Sequence, residues 1–175
     1  MELKQRWEDE LVAGWCQSLT KWVLSHCQSH QDVLLVGIAR GGFELAKHIS
    51  TQLPIPLAVH SIDITLYRDD LYQGGERPIM GGTMLPLDID GCNILLIDDV
   101  LFTGRTVRAA LHEIYDYGRP ASVQLAVLVD RGHRELPIQA DCVGVEIATA
   151  KSDKVQIGFA EAALSAELWT RQGDG

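Results

Sequence analysis

Two neighbouring carboxylates, Asp98 and Asp99, end the apolar run Ile94-Leu95-Leu96-Ile97, and Val100-Leu101-Phe102 then leads into the turn Thr103-Gly104-Arg105-Thr106. The run reads as a buried strand, a short apolar segment bounded by turn signals. In open α/β sheets ligands bind off the carboxyl ends of the strands, so both acids arrive where a ligand would sit. Adjacent carboxylates repel unless something polar or cationic lies beside them. Ribose hydroxyls meet that need by donating hydrogen bonds, and a magnesium ion would meet it too. The turn supplies the complementary chemistry. Gly104 permits a left-handed backbone and close approach, and Thr103 and Thr106 offer hydroxyls. The first amides of a following helix point outward as free donors, which suits an anion of phosphate size. Together the pair and the nest match the two ends of a ribose 5-phosphate group. A salt-bridged strand end or a plain turn explains either half alone, but poorly explains both in tandem.

A second anion site is suggested by Gly37-Ile38-Ala39-Arg40-Gly41-Gly42. It lacks the G-x-G-x-x-G spacing of a dinucleotide fingerprint. Glycine-exposed amides beside Arg40 could meet an anion, and a simple turn joining strand to helix is the competing reading.

The elements that must hold these residues follow from periodicity. Trp7, Leu11, Val12, Trp15, Leu19, Trp22 and Val23 recur at helical spacing, predicting an amphipathic helix from Gln5 to about Cys27. Val33 to Ile38 reads as a strand, Phe43 to about Leu53 as a helix stopped by Pro54, and Leu57 to Leu66 as a strand. From Tyr67 to about Asp88 there is no sustained period, with Gly74, Gly75, Pro78, Gly81, Gly82 and Pro86 along the way. A loop that long inside a compact domain is commonly a lid or binding loop. Asn93 to Ile97 is a strand, Thr106 to about Tyr117 a helix, and Ser122 to Val129 and Val143 to Ile147 are strands. Val155 to Gly158 is a short strand and Glu161 to Leu168 a helix. Alternating strands and helices imply an α/β fold with a largely parallel sheet, and residues 1–175 read as a single domain.

Composition bounds the partners. The chain of 175 residues carries 24 acidic and 15 basic side chains, a net charge of −9, with 46% hydrophobic residues. That is ordinary globular composition. No apolar stretch approaches the ~18 residues of a membrane span, and the polar start of the chain is unlike a signal peptide, so a cytoplasmic protein with no membrane partner is expected. A strongly acidic chain is also a poor candidate for holding nucleic acid by bulk charge. Cys16, Cys27, Cys92 and Cys142 show no metal-type spacing and read as free thiols. His26 and His30, four residues apart, read as the end of a surface helix.

The segment Ile94 to Arg108 resembles the phosphoribosyl diphosphate (PRPP) signature of type I phosphoribosyltransferases. Three further stretches narrow the resemblance: Ile62-Asp-Ile-Thr-Leu-Tyr-Arg-Asp-Asp70, Tyr117-Gly-Arg-Pro-Ala-Ser122, and Leu125-Ala-Val-Leu-Val-Asp-Arg-Gly-His-Arg-Glu-Leu-Pro-Ile138. They are similar to the bifunctional pyrimidine operon regulator/uracil phosphoribosyltransferase family, over about Val33 to Val155. Dedicated uracil phosphoribosyltransferases usually carry proline in place of the second acid, so Asp98-Asp99 fits the regulator branch.

The resemblance implies a type I phosphoribosyltransferase fold, a mainly parallel sheet flanked by helices with a flexible lid loop. It implies transfer of phosphoribose from PRPP to uracil, giving UMP and diphosphate, with Mg²⁺ carried mainly by PRPP and no direct protein ligands. On this pattern Asp98 and Asp99 meet the ribose, and Val100, Leu101, Phe102, Thr103, Gly104, Arg105 and Thr106 wrap the 5′-phosphate. Ala39, Arg40, Gly41 and Gly42 form the diphosphate loop, although family members vary here and the contacting residue is left open. Tyr67 and Arg68 belong to the lid, with Asp69 and Asp70 able to pair with Arg68. Asp130 and Arg131 line the base and diphosphate end, Arg131 being the stronger candidate, with His133 a turn residue and Arg134 a surface or RNA-facing one. A homo-oligomer is also implied. The second function in the family is binding pyrimidine-operon mRNA leaders, and a mainly RNA-binding regulator with weak or no catalysis is the alternative. The scattered Lys and Arg residues favour catalysis.

Overall fold

A computed structural model describes residues 1–64, 82–160 and 164–170. Its centre is a five-stranded parallel sheet built from β2 (Val33–Ile38), β3 (Val59–Ile62), β4 (Asn93–Leu101), β5 (Ser122–Asp130) and β6 (Cys142–Glu146). The strands lie in the order β3-β2-β4-β5-β6. Parallel strands covered on both faces read as continuous apolar runs, and Ile94, Leu95, Leu96 and Ile97 are all fully buried.

Neighbouring strand residues serve opposite faces. Leu35, Leu95, Ile97, Ala126 and Leu128 pack with α1 (Asp9–Ser29) and α2 (Ala39–Thr51). Val36, Ile94, Leu96, Leu125 and Val127 pack with α3 (Arg105–Tyr117) on the other side. Each such Leu, Ile or Val contributes roughly 1.5–3 kcal/mol on burial, so the middle of β4 anchors both layers. No helix of the described residues is long and apolar enough to cross a membrane.

The order of the strands explains where a ligand must go. From β2 the chain moves outward to β3, then returns to β4 on the other side of β2. Helix α2 leaves the end of β2 on one face and α3 leaves the end of β4 on the other. A crevice opens where the winding reverses, off the carboxyl ends of β2 and β4.

Two expectations are corrected. The predicted helix from Gln5 begins instead at Asp9, and Glu2–Trp7 forms a strand, β1, paired antiparallel with β8 (Leu164–Thr170). Trp7 still meets the helix, its ring edge-on to Trp15 at 5.8 Å. That contact is why Trp7 fell in phase with the helical stripe. The predicted helix Glu161 to Leu168 is also replaced, by β8, with Leu164, Ala166 and Leu168 buried at period two. Ala, Leu and Glu favour a helix, but pairing with β1 and β7 (Lys154–Phe159) overrides that weak preference. The resulting three-stranded sheet, β1-β8-β7, joins the core that includes α1 through Val155, Leu164, Ala166 and Leu168.

The strand expected from Leu57 to Leu66 is shorter, Val59–Ile62. The lid candidates Tyr67 and Arg68 lie outside the described residues. Just beyond that segment Met84 bridges back to Ser61, with N–H to carbonyl distances of 2.8 and 3.1 Å.

The Asp153 carboxylate ties the turn before β7 to β1 of the small sheet. It is buried, accepts the Ala150 amide at 2.9 Å and lies 3.5 Å from the Lys4 ammonium of β1. The Ala150 amide and then the Thr170 hydroxyl hold this carboxyl below the ordinary carboxylate range. A carboxyl depressed on folding stabilises the fold above its unfolded pKa, and that contribution disappears as pH falls through the folded value. Asp153→Asn is therefore expected to lose stability at pH 7 and to show a flatter acid limb below about pH 4. Urea unfolding across pH 2–7 checks this; parallel curves for the two proteins would rule it out.

Candidate active site

β4 does not stop at Ile97 but runs on through both acids to Leu101. Its pairing with β5 keeps one register to the end, with Asp98 opposite Val127 and Leu101 opposite Asp130. The Asp98 carboxylate accepts the Asp99 amide at 3.0 Å, and the Asp99 carboxylate accepts the Val100 amide at 3.0 Å. Short acidic side chains commonly bond neighbouring amides in this way.

The two acids are also unequal. Asp98 is 4% exposed, whereas Asp99 is more open and lies against the turn after β2. A Cβ on Gly41 would fall 2.3 Å from Asp99 Oδ2, and one on Gly42 would fall 2.3 Å from the Ile97 carbonyl. The helix expected from Phe43 begins already at Ala39, so Ala39–Gly42 is the first turn of α2, and the structure brings it into direct contact with the acidic pair, which spacing in the chain could not reveal. Ala39 itself takes a φ of 48°, left-handed for a non-glycine residue. Such a conformation costs on the order of 1–3 kcal/mol and persists only where its surroundings impose it. Arg40 is exposed at the same turn.

The Thr103–Thr106 turn has the left-handed glycine its sequence suggested. Gly104 sits at φ 91° as the N-cap of α3, and no side chain caps that helix. Thr103 Oγ1 accepts the Arg105 amide at 3.4 Å, while its carbonyl accepts the Glu135 amide at 3.0 Å. Arg105 Nε donates to Glu135 at 3.0 Å, and Lys151 pairs with the other Glu135 oxygen at 2.8 Å. These two cations hold the Glu135 carboxyl below its ordinary range, the Lys151 hydrogen bond contributing most.

The Asp130–Arg134 loop uses its cations differently from expectation. Arg131 is only 6% exposed and donates to Thr149 Oγ1 at 3.2 Å and to the carbonyls of Asp153 at 2.6 Å and Ala150 at 2.8 Å. Burial lowers its pKa and the Asp153 charge opposes that, but a guanidinium stays protonated throughout. Arg134, expected at the surface or facing RNA, is part-buried. It pairs with Asp130 and donates to the carbonyls of Phe102 at 2.7 Å and Ile138 at 3.0 Å. His133 is a turn residue, with φ 62°. Phe102, valued in the sequence only for its place in the nest, carries the Arg131 guanidinium over its ring at 4.0 Å. No sequence signal marks that stack, since the two residues belong to different strand ends.

Beside this loop, off the ends of β5 and β6, lies an open cleft of about 460 Å³ lined by Asp130, Arg131, Gly132, Arg134, Glu146, Ile147 and Ala148. Nest, acidic pair, glycine turn and cleft therefore share one edge of the sheet. Among the described residues no three His, Cys, Asp or Glu side chains converge as a metal cage.

An acidic strand end leading into a phosphate nest, on a parallel sheet with a small antiparallel sheet beside it, defines a phosphoribosyltransferase. A model of the phosphoribosyl transferase domain matches residues 10–162. Solved structures agree on the fold. A hypoxanthine-guanine phosphoribosyltransferase from Bacillus anthracis superposes with a TM-score of 0.66 at 16% identity, covering 84% of this chain and 86% of that one. A hypoxanthine phosphoribosyltransferase from Staphylococcus aureus gives 0.64 at 21% identity, covering 85% and 80%. Closer in sequence are proteins named Bifunctional protein PyrR. That of Herpetosiphon aurantiacus is 44% identical over 165 residues, 92% of each chain. That of Chloroflexus aurantiacus is 53% identical over 135 residues, 75% of this chain and 74% of its own. That of Bacillus subtilis is 50% identical over 136 residues, 74% and 75% of the two chains. The chain belongs to the bifunctional PyrR family of phosphoribosyltransferases.

Proposed function

We propose that this protein forms UMP and diphosphate from uracil and PRPP. The observation that supports the reading is the close approach of Gly41 to Asp99, which brings the Ala39–Gly42 segment beside the acidic pair at the carboxyl ends of β2 and β4. In the reaction the bond from the anomeric carbon to the diphosphate breaks, its electron pair leaving with diphosphate, and a ring nitrogen of uracil forms the new bond as its proton passes to the departing diphosphate or to solvent. The sugar passes through a cationic state. Asp98 and Asp99 stabilise that charge and hold the ribose hydroxyls, while the Val100–Thr106 backbone fixes the 5′-phosphate. The Ala39–Gly42 turn receives the diphosphate. Preorganised groups of this kind act most strongly where charge develops.

Magnesium fits this site as a companion of PRPP. A Mg²⁺ ion takes about six oxygens and keeps several waters, and the chain supplies no cage for it among the described residues. Held mainly by PRPP, it would neutralise the leaving diphosphate. The cleft beside Ile147 and Ala148 is the place for uracil. With a net charge of −9, the protein must attract its anionic substrate through Mg²⁺, amides and local arginines.

Purified protein with PRPP, Mg²⁺ and each of uracil, orotate, hypoxanthine and adenine tests the reading; UMP is the expected product, and no turnover of uracil would end it. A second role, binding the leader of pyrimidine mRNA, is supported by the relatives' shared description as bifunctional. Filter binding to the leader with and without UMP tests that role, and equal affinity for unrelated RNA would remove it.

A further inference from the structure

Arg131 is the basic residue of the cleft most deeply buried, yet its donors are turned away from any anion. Its Nε, Nη1 and Nη2 go to Thr149 Oγ1 and to the carbonyls of Asp153, Ala150 and, at 3.4 Å, Lys151. Its own carbonyl accepts the Thr149 hydroxyl at 3.2 Å, and its amide donates to the Leu101 carbonyl at 3.1 Å. Its flat face rests on Phe102 at 4.0 Å. One side chain therefore joins the nest, through Phe102, to the 149–153 turn that follows the cleft residues Ile147 and Ala148.

Two other links cross this gap among the described residues: the exposed His133, whose ring is edge-on to Phe102 at 5.9 Å with Nε2 2.7 Å from the Thr149 carbonyl, and the chain Arg105–Glu135–Lys151. Those cations are exposed, and exposed ion pairs hold geometry weakly and are screened by salt. A buried guanidinium with a fixed planar fork, by contrast, locks several acceptors at once.

We infer that Arg131 is a positioning residue that sets the spacing between the phosphate nest and the base cleft. This rests on the phosphoribosyltransferase reading of the two subsites. Ribose 5-phosphate occupies the nest and the acidic pair alone; UMP must reach both ends simultaneously. Arg131 should therefore matter to the second ligand and not to the first. A group that bound phosphate directly would show the reverse.

The experiment measures binding of ribose 5-phosphate and of UMP by titration calorimetry, below the unfolding range, for wild type, Arg131→Lys and Thr149→Val. Lysine keeps the charge but loses the fork and the stack. Valine keeps the shape of Thr149 but removes the hydroxyl that accepts Arg131 Nε and donates to the Arg131 carbonyl, and it lies outside the nest, so it decides the matter if Arg131→Lys does not fold. The expected result is UMP affinity lowered ~10- to 100-fold, the scale of a small misalignment, with ribose 5-phosphate affinity unchanged. kcat with uracil should fall alongside, at an unchanged KM for PRPP. Loss of ribose 5-phosphate affinity in Arg131→Lys would make Arg131 a direct ligand and overturn the inference. Equal affinities for both ligands in all three proteins, with only Tm lowered, would reduce it to a structural residue. Wild-type protein that bound ribose 5-phosphate but not UMP would overturn the base cleft, and wild type that bound neither would overturn the reading beneath it.

Discussion

Asp99→Asn is expected to lower kcat/KM for UMP formation by ~2–4 kcal/mol of transition-state stabilisation, the scale of removing one preorganised electrostatic group. That corresponds to roughly 30- to 1,000-fold in rate. Asparagine keeps the size of the side chain and its acceptor toward the Val100 amide, so the fold should survive and only the charge is lost. The loss should appear chiefly in kcat, because the cationic sugar exists only in the transition state. Steady-state kinetics with uracil and PRPP, beside a thermal melt, provide the check. A near-normal kcat/KM would show that Asp99 merely ends a strand. Asp98, at 4% exposure, is the poorer test, since neutralising a buried acid disturbs packing as well as charge.

Gly41→Ala should cost activity almost as heavily, although the change adds only one methyl group, at the half-buried first turn of α2. Its Cβ would lie 2.3 Å from Asp99 Oδ2 and 2.8 Å from Oδ1. Either the carboxylate swings away from the crevice or the turn lifts, and both moves separate the diphosphate and ribose ends. A displacement near 1 Å can cost on the order of 100-fold in an aligned reaction, so kcat/KM is expected to fall at least ~10-fold. Gly42→Ala makes the control. Its Cβ meets the fixed Ile97 carbonyl at 2.3 Å, so it should destabilise the fold by ~1–3 kcal/mol, as overpacking does. The contrast is the test: Gly41→Ala near wild type in Tm but poor in turnover, Gly42→Ala lowered in Tm. An active Gly41→Ala protein would mean that the turn and Asp99 work independently.

The buried Arg131 alters how such variants are read. Its bonds to the Ala150 and Asp153 carbonyls and its stack on Phe102 join the ends of β4 and β5 to the 149–153 turn. The pairing of Arg134 with Asp130 and with the Phe102 carbonyl adds to this coupling and removes Arg134 from the exposed surface expected of an RNA contact.

Local chemistry was legible in the sequence wherever it lies in one short segment. The β4 run, the acid pair, the Gly104 turn and the start of α3 are consecutive, so residue order alone brings acid and phosphate nest together. The parallel sheet was legible for a similar reason: strands covered on both faces carry unbroken apolar runs, as Ile94–Ile97 and Leu125–Val129 do. What only the tertiary structure decided depends on groups distant in the chain. β1 and β8 are strands because they pair with each other across almost the whole sequence, and pairing outweighs the fractions of a kcal/mol per residue that favour a helix. The closeness of Gly41 to Asp99 follows from where the winding of the sheet reverses. The fate of Arg131 was likewise settled by carbonyls some twenty residues downstream. A buried guanidinium takes whatever acceptors the fold presents, and no spacing rule states in advance whether those will be substrate or backbone.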